Sequence, residues 1–442
     1  MPNPKIFCNI PWFELNINND GSFDLCGCQN DKIMGTSLGQ VWNIKKMSIE
    51  EYWNSPRMKE ARLRKLGEIP DPMCRMCQLK DELGYESPRR KENMKSLVFL
   101  DSFERSYHQS PNLSRFQYSE NNLGATETTV HSLHINLGDK CNFACRMCNP
   151  YFSTPLQREW KKLGWIEPTT KFDHWSNDPV GWANFIGYLE RHPDSIRVMH
   201  IIGGEVAFIP KFDFLLNYLV EKDMAKNINF SFTINGSVDY TKYFDRLAKF
   251  KRTEIGISIE SIEPIGDYIR QTGRIKNIMS NIEKLKKERP NNMSLAIRTV
   301  PSILSLPTYA SLIKWCYKLG IPIDNSMLVN PLWQQAKLLP DNLKQKVIEE
   351  VSAVLNTLPK TENKEFNNQK DPHKIDVSMR NECESIIGLA KVSAPMDAEQ
   401  LRKTCAEKLN QWDKLKKINL KDYSVELYEF LSAYGYEGHI NA

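Results

Sequence analysis

The chain has 442 residues, 41% of them hydrophobic and 26% charged, the balance of an ordinary soluble protein long enough for a barrel-sized domain plus one smaller unit. Its 59 basic and 54 acidic side chains leave a formal charge of +5, too even a balance to point to nucleic acid, so runs such as Arg89-Arg90-Lys91 and Lys286-Lys287 read as solvated faces. No apolar run approaches the ~20 residues that span a bilayer, and Met1-Pro2-Asn3-Pro4-Lys5 opens no secretory h-region, so the expected location is cytoplasmic with no membrane partner.

Eleven cysteines in a reducing compartment do not read as a disulfide framework, and their clustering points to metal or cluster ligation. Eight fall in two groups: Cys8, Cys26, Cys28, Cys74 and Cys77, then Cys141, Cys145 and Cys148. Cys316, Cys383 and Cys405 stand alone on helix-like stretches and read as core residues.

Residues 1–95 form a cysteine-bearing module with little room for a core of its own. Phe13 to Ile17 alternates as a strand does, Asn19-Asp20-Gly21 is a turn signal, and residues 22–28 return as the second arm of a hairpin. Ser48 and Glu51 make a capping-box pattern that opens a helix through Trp53, Met58, Ala61 and Leu63, with Gly67 as its stop. Cys74-Arg75-Met76-Cys77 closes the module. Two cysteine pairs of this kind are compatible with a zinc ribbon. Gly21-x4-Cys26, Leu38-Gly39-Gln40-Val41, Trp53-Asn54-Ser55 and Cys74-x2-Cys77 together resemble the auxiliary-cluster domain called twitch, the shorter relative of SPASM, found in many radical S-adenosylmethionine (radical SAM) enzymes. That resemblance implies Cys8, Cys26, Cys74 and Cys77 as ligands of one auxiliary 4Fe-4S cluster, with Cys28 a substitute ligand or a bystander. In those relatives the domain usually follows the barrel, whereas here it comes first.

Residues 96–130 are polar without clear periodicity and read as a linker. Strand-like runs at 133–136, 197–202, 229–234, 254–259, 294–300 and 326–330 then alternate with helical patterns at 212–223, 243–250, 275–288 and 309–319, the last capped by Gly320. The expected fold class is α/β: a partial (β/α)6 TIM-like barrel over residues 131–335, preceded by the cysteine-rich module and followed by a helical C-terminal region over 336–442. Residues 151–195 exceed one crossover and hold Trp160, Trp165, Trp175 and Trp182, read as core or as an insertion over the barrel mouth. Helices are expected at 343–358, 397–417 and 420–434, with a loop at 360–374.

The first barrel strand runs into Cys141-Asn142-Phe143-Ala144-Cys145-Arg146-Met147-Cys148. Three thiolates at CxxxCxxC spacing can hold three corners of a cubic iron-sulfur cluster and leave the fourth iron open to a substrate; the alternative is a zinc loop, whose usual knuckle is CxxC. This motif after a strand resembles the signature of the radical SAM superfamily. The resemblance implies a 4Fe-4S cluster on Cys141, Cys145 and Cys148, with S-adenosylmethionine chelated to its open iron. The second strand ends in Gly203-Gly204-Glu205, a common turn when taken alone, and here similar to the family's motif for the cofactor's amino group. Thr233-Ile234-Asn235-Gly236 at the end of the third strand is similar to the Thr-Asn-Gly end of relatives, which implies Thr233 and Asn235 on the cofactor wall. Ser258, Glu260 and Arg270 resemble the elements that hold the cofactor carboxylate, although Glu260 stands where relatives often carry Asp and Arg270 alone would read as a surface helix charge. Met147 occupies the position before the last cysteine where the resembled family commonly carries an aromatic near the adenine, a place that a polarizable thioether can fill.

Reductive cleavage of S-adenosylmethionine to a 5′-deoxyadenosyl radical that abstracts a hydrogen atom is the implied activity, with an electron donor such as flavodoxin or ferredoxin. Oxidative modification of a peptide or protein side chain is the leading expectation. Two others stay open: an enzyme acting on a small sugar, cyclitol or nucleotide-derived metabolite, and a catalytically inactive, zinc-stapled binding protein. No general base is identifiable from the sequence.

Overall fold

A computed structural model describes residues 7–26, 42–71, 74–82, 87, 89–90, 93, 111–271, 274–360 and 374–439. Cys28 lies outside them.

Eight strands form one sheet: β1 (Glu14–Ile17), β2 (Phe23–Asp24), β3 (Ser132–Asn136), β4 (Val198–Ile202), β5 (Asn229–Ile234), β6 (Arg252–Ser258), β7 (Met293–Thr299) and β8 (Ile323–Asn325). Their spatial order is β2-β1-β3-β4-β5-β6-β7-β8, parallel throughout except for the β1–β2 hairpin, and the two edge strands do not meet. The sheet therefore curves as an unclosed partial barrel, as the alternation of strand and helix patterns predicts.

Helices alternate with these strands along the chain. They are α1 (Ile49–Trp53), α2 (Pro56–Leu66), α3 (Arg75–Glu82), α4 (Pro111–Asn121), α5 (Thr154–Lys162), α6 (Pro179–Arg191), α7 (Pro210–Glu221), α8 (Phe244–Leu247), α9 (Ile265–Arg270), α10 (Ile275–Glu288), α11 (Tyr309–Leu319), α12 (Asp341–Thr357), α13 (Lys374–Ala390), α14 (Ala398–Lys416) and α15 (Val425–Ser432). Each parallel crossover buries alternate strand residues such as Leu133, Ile135, Phe230, Phe232, Ile255 and Ile257 beneath a helix, which leaves the intervening residues on the concave face.

The N-terminal module does not stand apart. β1 pairs in parallel with β3, Leu15 opposite Leu133 and Ile17 opposite Ile135, so the hairpin extends the barrel sheet by two strands. Leu15, Ile17, Phe23, Ile49, Tyr52, Trp53 and Met58 belong to the same continuous core as the barrel strands. A module too small to bury a core alone thus shares its neighbour's.

Several expected elements shift. The capping box at Ser48 and Glu51 forms, but the helix it opens ends at Trp53, because Ser55 caps a second helix that starts at Pro56. The expected linker holds α4, which docks Phe116 edge-on against Trp12 at 4.9 Å while the Ser119 hydroxyl accepts the Trp12 indole N–H at 2.9 Å. The last strand lies at 323–325 instead of 326–330, since Gly320 in a left-handed conformation turns the chain straight from α11 into Pro322. Residues 243–250 and 420–434 hold shorter helices than expected, each preceded by a single 3-10 turn. Within 151–195, α5 and α6 appear; Trp175 is fully buried in the main core, while Trp160 and Trp165 pack with Trp412. α13 follows the expected 360–374 loop, whose residues 361–373 lie outside the described set. Cys316, Cys383 and Cys405 are fully buried core residues, as expected.

Candidate iron-sulfur and cofactor site

The cysteine loop leaves the C-terminal end of β3 and is held against the end of β4. Gly204 N–H donates to the Gly138 carbonyl at 2.9 Å, and Glu205 N–H donates to the Lys140 carbonyl at 2.8 Å. A Cβ on Gly204 would lie 2.2 Å from the Lys140 carbonyl oxygen, and one on Gly203 would lie 2.7 Å from that of Gly138. The two glycines are therefore what lets the strand end touch the backbone that leads into Cys141.

Glu205 is fully buried, and its carboxylate accepts the Asn235 N–H at 2.6 Å, the Ala207 N–H at 3.5 Å and the Tyr240 hydroxyl. Burial raises its pKa. Here the predicted ammonium-binding carboxylate braces the end of β5 against β4. Asn235 carries the brace onward: its side-chain amide donates to Asn142 Oδ1 at 2.8 Å and approaches Cys141 Sγ at 3.9 Å. Asn142 and Tyr240 are site residues that the sequence reading missed.

On the other side, α9 flanks the loop. Arg146 N–H donates to the Ile269 carbonyl at 2.8 Å, and Cys145 Sγ lies 3.8 Å from the Arg270 carbonyl oxygen. Arg270 spends its planar fork on Glu260, with two bonds of 2.7 Å between side chains only 6% and 3% exposed. The residue predicted to grip a cofactor carboxylate thus holds a carboxylate of its own chain. Burial pushes the Cys148 thiol up to about 12 and raises Cys141 and Cys145; at Cys145 the Arg270 charge pulls the other way. Any ligation by these thiols must displace their protons. Thr233 lies opposite Gly256, Ser258 lies opposite Arg298, and Met147 packs half-buried against the core.

Helix α14 supports the loop from behind. Arg146, fully buried between the second and third cysteine, donates to Asp413, to the Tyr268 carbonyl at 3.0 Å, and stacks 3.8 Å from the Tyr268 ring centroid. Gln334 donates to the Arg146 carbonyl at 2.8 Å.

In the N-terminal module, Cys8 and Cys77 are buried and Cys26 and Cys74 half-buried. Burial raises the pKa of Cys8, and Cys74 and Cys77 lie near enough to raise it further. The Lys65 ammonium on α2 donates to Cys74 Sγ at 3.0 Å. Among the described residues no three His, Cys, Asp or Glu side chains converge on one point, as ligands of a single ion do; cubane corners lie further apart. Two thiol-only sets, the N-terminal one beside the Lys65 ammonium, fit anionic iron-sulfur centres.

The concave face carries a polar row in register over five strands: Asn16, His134, His200, Ser231 and Glu254. His134 and His200 meet edge to face at 4.6 Å, and His200 Nδ1 lies 2.7 Å from Ser231 Oγ. Arg298 joins this face, bonded to Glu254 at 2.6 Å and to Asp324. Every second position of the strand patterns would have found this row.

Residues 135–301 match the radical SAM superfamily, and residues 8–78 match SPASM, an iron-sulfur cluster-binding domain. The chain carries a radical SAM domain preceded by a SPASM domain. A radical SAM domain implies a 4Fe-4S cluster and S-adenosylmethionine, and a SPASM domain implies auxiliary iron-sulfur clusters. Among solved structures, Streptococcus suis SuiB bound to S-adenosylmethionine aligns at 14% identity and TM-score 0.34, covering 60% of this radical SAM chain and 58% of that one. SuiB bound to precursor peptide SuiA aligns at 12% identity and TM-score 0.36, covering 68% and 63%. TYW1 with a lysine-pyruvate adduct aligns at 14% identity and TM-score 0.29, covering 47% and 68%. The radical SAM chain thus spans less than two thirds of the length of these two SuiB chains. No curated protein matches it.

Proposed function

We propose that this radical SAM chain is an enzyme that oxidatively modifies a peptide or protein side chain. The observation that carries the reading is the shared sheet: the three-cysteine loop leaves β3, and the N-terminal cysteine module is joined to that strand's outer edge through β1. In this reading Cys141, Cys145 and Cys148 hold the catalytic 4Fe-4S cluster, and Cys8, Cys26, Cys74 and Cys77 hold an auxiliary one. When bound, the catalytic cluster and S-adenosylmethionine supply reductive cleavage to methionine and a 5′-deoxyadenosyl radical, the hydrogen-abstracting species. An auxiliary centre would offer a place for the electron that the substrate radical gives up, while a flavodoxin- or ferredoxin-type donor would supply the electron that reduces the catalytic cluster.

The residues position these groups. Gly203 and Gly204 let the strand end approach the loop, and Glu205, through Asn235, fixes Asn142 beside Cys141. Arg270 and Glu260 place a neutralised pair beside Cys145, with Ser258, Thr233 and Met147 on the surrounding wall. The in-register row Asn16, His134, His200, Ser231 and Glu254 favours a second reading, a small polyhydroxylated metabolite, because its donors and acceptors match hydroxyl groups.

Anaerobic reconstitution with iron and sulfide counting, joined to a dithionite-driven assay for 5′-deoxyadenosine, tests the reading. About eight irons per chain with deoxyadenosine released is the expected result. Zinc without acid-labile sulfide and no deoxyadenosine would replace it with a zinc-stapled binding protein.

A further inference from the structure

Helix α2 turns two cations inward. Its buried face carries Arg62 and Lys65 beside Met58 and Ala61, at 0% and 2% exposure. A buried cation is costly unless its donors find acceptors. Arg62 finds them in backbone carbonyls, at Pro11 (2.9 Å), Trp53 (2.8 Å) and Gly124 (3.2 Å). Lys65 differs: among the described residues its hydrogen bond goes to Cys74 Sγ at 3.0 Å, and no carboxylate pairs with it. A neutral thiol is a weak acceptor, poor compensation for a desolvated ammonium. The burial of Lys65 makes physical sense when the sulfur it faces belongs to an anion. Cys8, which feels the charges of Lys65, Cys74 and Cys77, lies in the same group.

We infer that Lys65 is a positioning residue of the N-terminal cysteine site, whose ammonium, bonded to Cys74, raises the reduction potential of the auxiliary cluster held there. The inference rests on the auxiliary-cluster reading above. Reduction by one electron adds a unit of negative charge to a centre already negative through its four thiolates. A fixed cation within hydrogen-bond distance of a ligating sulfur stabilises the reduced form more than the oxidised one, and low local dielectric strengthens the difference. Hydrogen bonds to sulfur raise the potential in the same way at other iron-sulfur sites, against the lowering that burial of an anionic centre causes. Lys65 thus biases the auxiliary centre toward accepting an electron, the direction an oxidative modification needs.

The test is a redox titration of the reconstituted full-length protein followed by electron paramagnetic resonance, the auxiliary signal being the one unmoved by S-adenosylmethionine. Lys65→Met should retain about eight irons and shift the auxiliary potential downward, so that at fixed solution potential its reduced-to-oxidised ratio falls at least tenfold, about 59 mV for one electron. Lys65→Arg should stay near wild type. If Lys65→Met does not load, Lys65→Gln against Lys65→Arg carries the comparison. Loss of four irons from both neutral variants, with retention in Lys65→Arg, again supports a cation serving an anionic centre. Eight irons with equal potentials in all variants would overturn the role of Lys65 and leave the auxiliary cluster standing. About four irons with zinc in the wild type would overturn both.

Discussion

Asp413, on helix α14, holds Arg146 in an ion pair with no solvent exposure on either side chain. Arg146 sits inside the cysteine loop, and Tyr268 and Tyr436 also donate their hydroxyls to Asp413. Removing one partner of a buried pair leaves an uncompensated charge, so Asp413→Ala should lower the stability of the cluster-free protein by about 3–5 kcal/mol in urea unfolding. The double substitution Arg146→Met with Asp413→Leu should recover much of that loss. Recovery stays incomplete because the two tyrosine hydroxyls lose their acceptor. An Asp413→Ala protein within 0.5 kcal/mol of wild type, about the effect of an ordinary surface change, would refute this account.

Gly204→Ala and Gly388→Ala should act in opposite directions. At Gly204 the new methyl meets the Lys140 carbonyl, and the loop must move. We expect a loss of about 1–3 kcal/mol and roughly half the iron after reconstitution, with the N-terminal share kept. Gly388, within α13, has nothing within 4 Å of the added carbon, and alanine there should stabilise by about 0.5–1 kcal/mol. Thermal unfolding together with iron analysis reads both.

Cys145→Ala should abolish deoxyadenosine formation. Cys26→Ala should spare some cofactor cleavage while stopping product. Complete loss of cleavage in both, measured by chromatography of the quenched reaction, would assign the N-terminal cysteines to folding instead.

Three histidines make stability depend on acid. Burial lowers the pKa of His131, His134 and His174 to about 4, against an ordinary value of 6.5. Because the folded values are depressed, the unfolded chain takes up these protons first. Their contribution is fully present above about pH 6.5 and is lost as pH falls toward 4. Urea midpoints of the cluster-free protein should therefore decline between pH 7 and pH 5, and His134→Gln should show a shallower decline. Equal slopes would remove His134 from the explanation.

Local chemistry made much of this legible in the sequence. Helices α10 and α11 run where their periodicity places them, and the capping box at Ser48 and Glu51 forms as written. The cysteine loop follows its strand, and Gly203-Gly204 meets it, because a parallel barrel gathers strand ends at one mouth. The hidden parts depend on distant partners. Nothing near Arg146 announces Asp413, 267 residues away. In α13 the apolar spacing Met379, Cys383, Ile386 is diluted by Glu382, whose place becomes intelligible only once its carboxylate is seen to accept from Tyr309 and Asn325. The bidentate pairing of Arg270 with Glu260 likewise shows only once the strand end and the helix are folded together.

The pairing of β1 with β3 also sets a timetable. Glu14 and Ser132 lie 118 residues apart, so at about 5–20 residues per second of synthesis β1 waits roughly 6–24 seconds for its partner strand. During that interval Leu15, Ile17 and Phe23 have no barrel to lie against, and Cys8 and Cys26 are already outside the ribosome. A newborn chain of this order presents the thiols of its first site before the scaffold that seats them exists, which makes the supply of iron and sulfide, and protection from air, a matter of birth order.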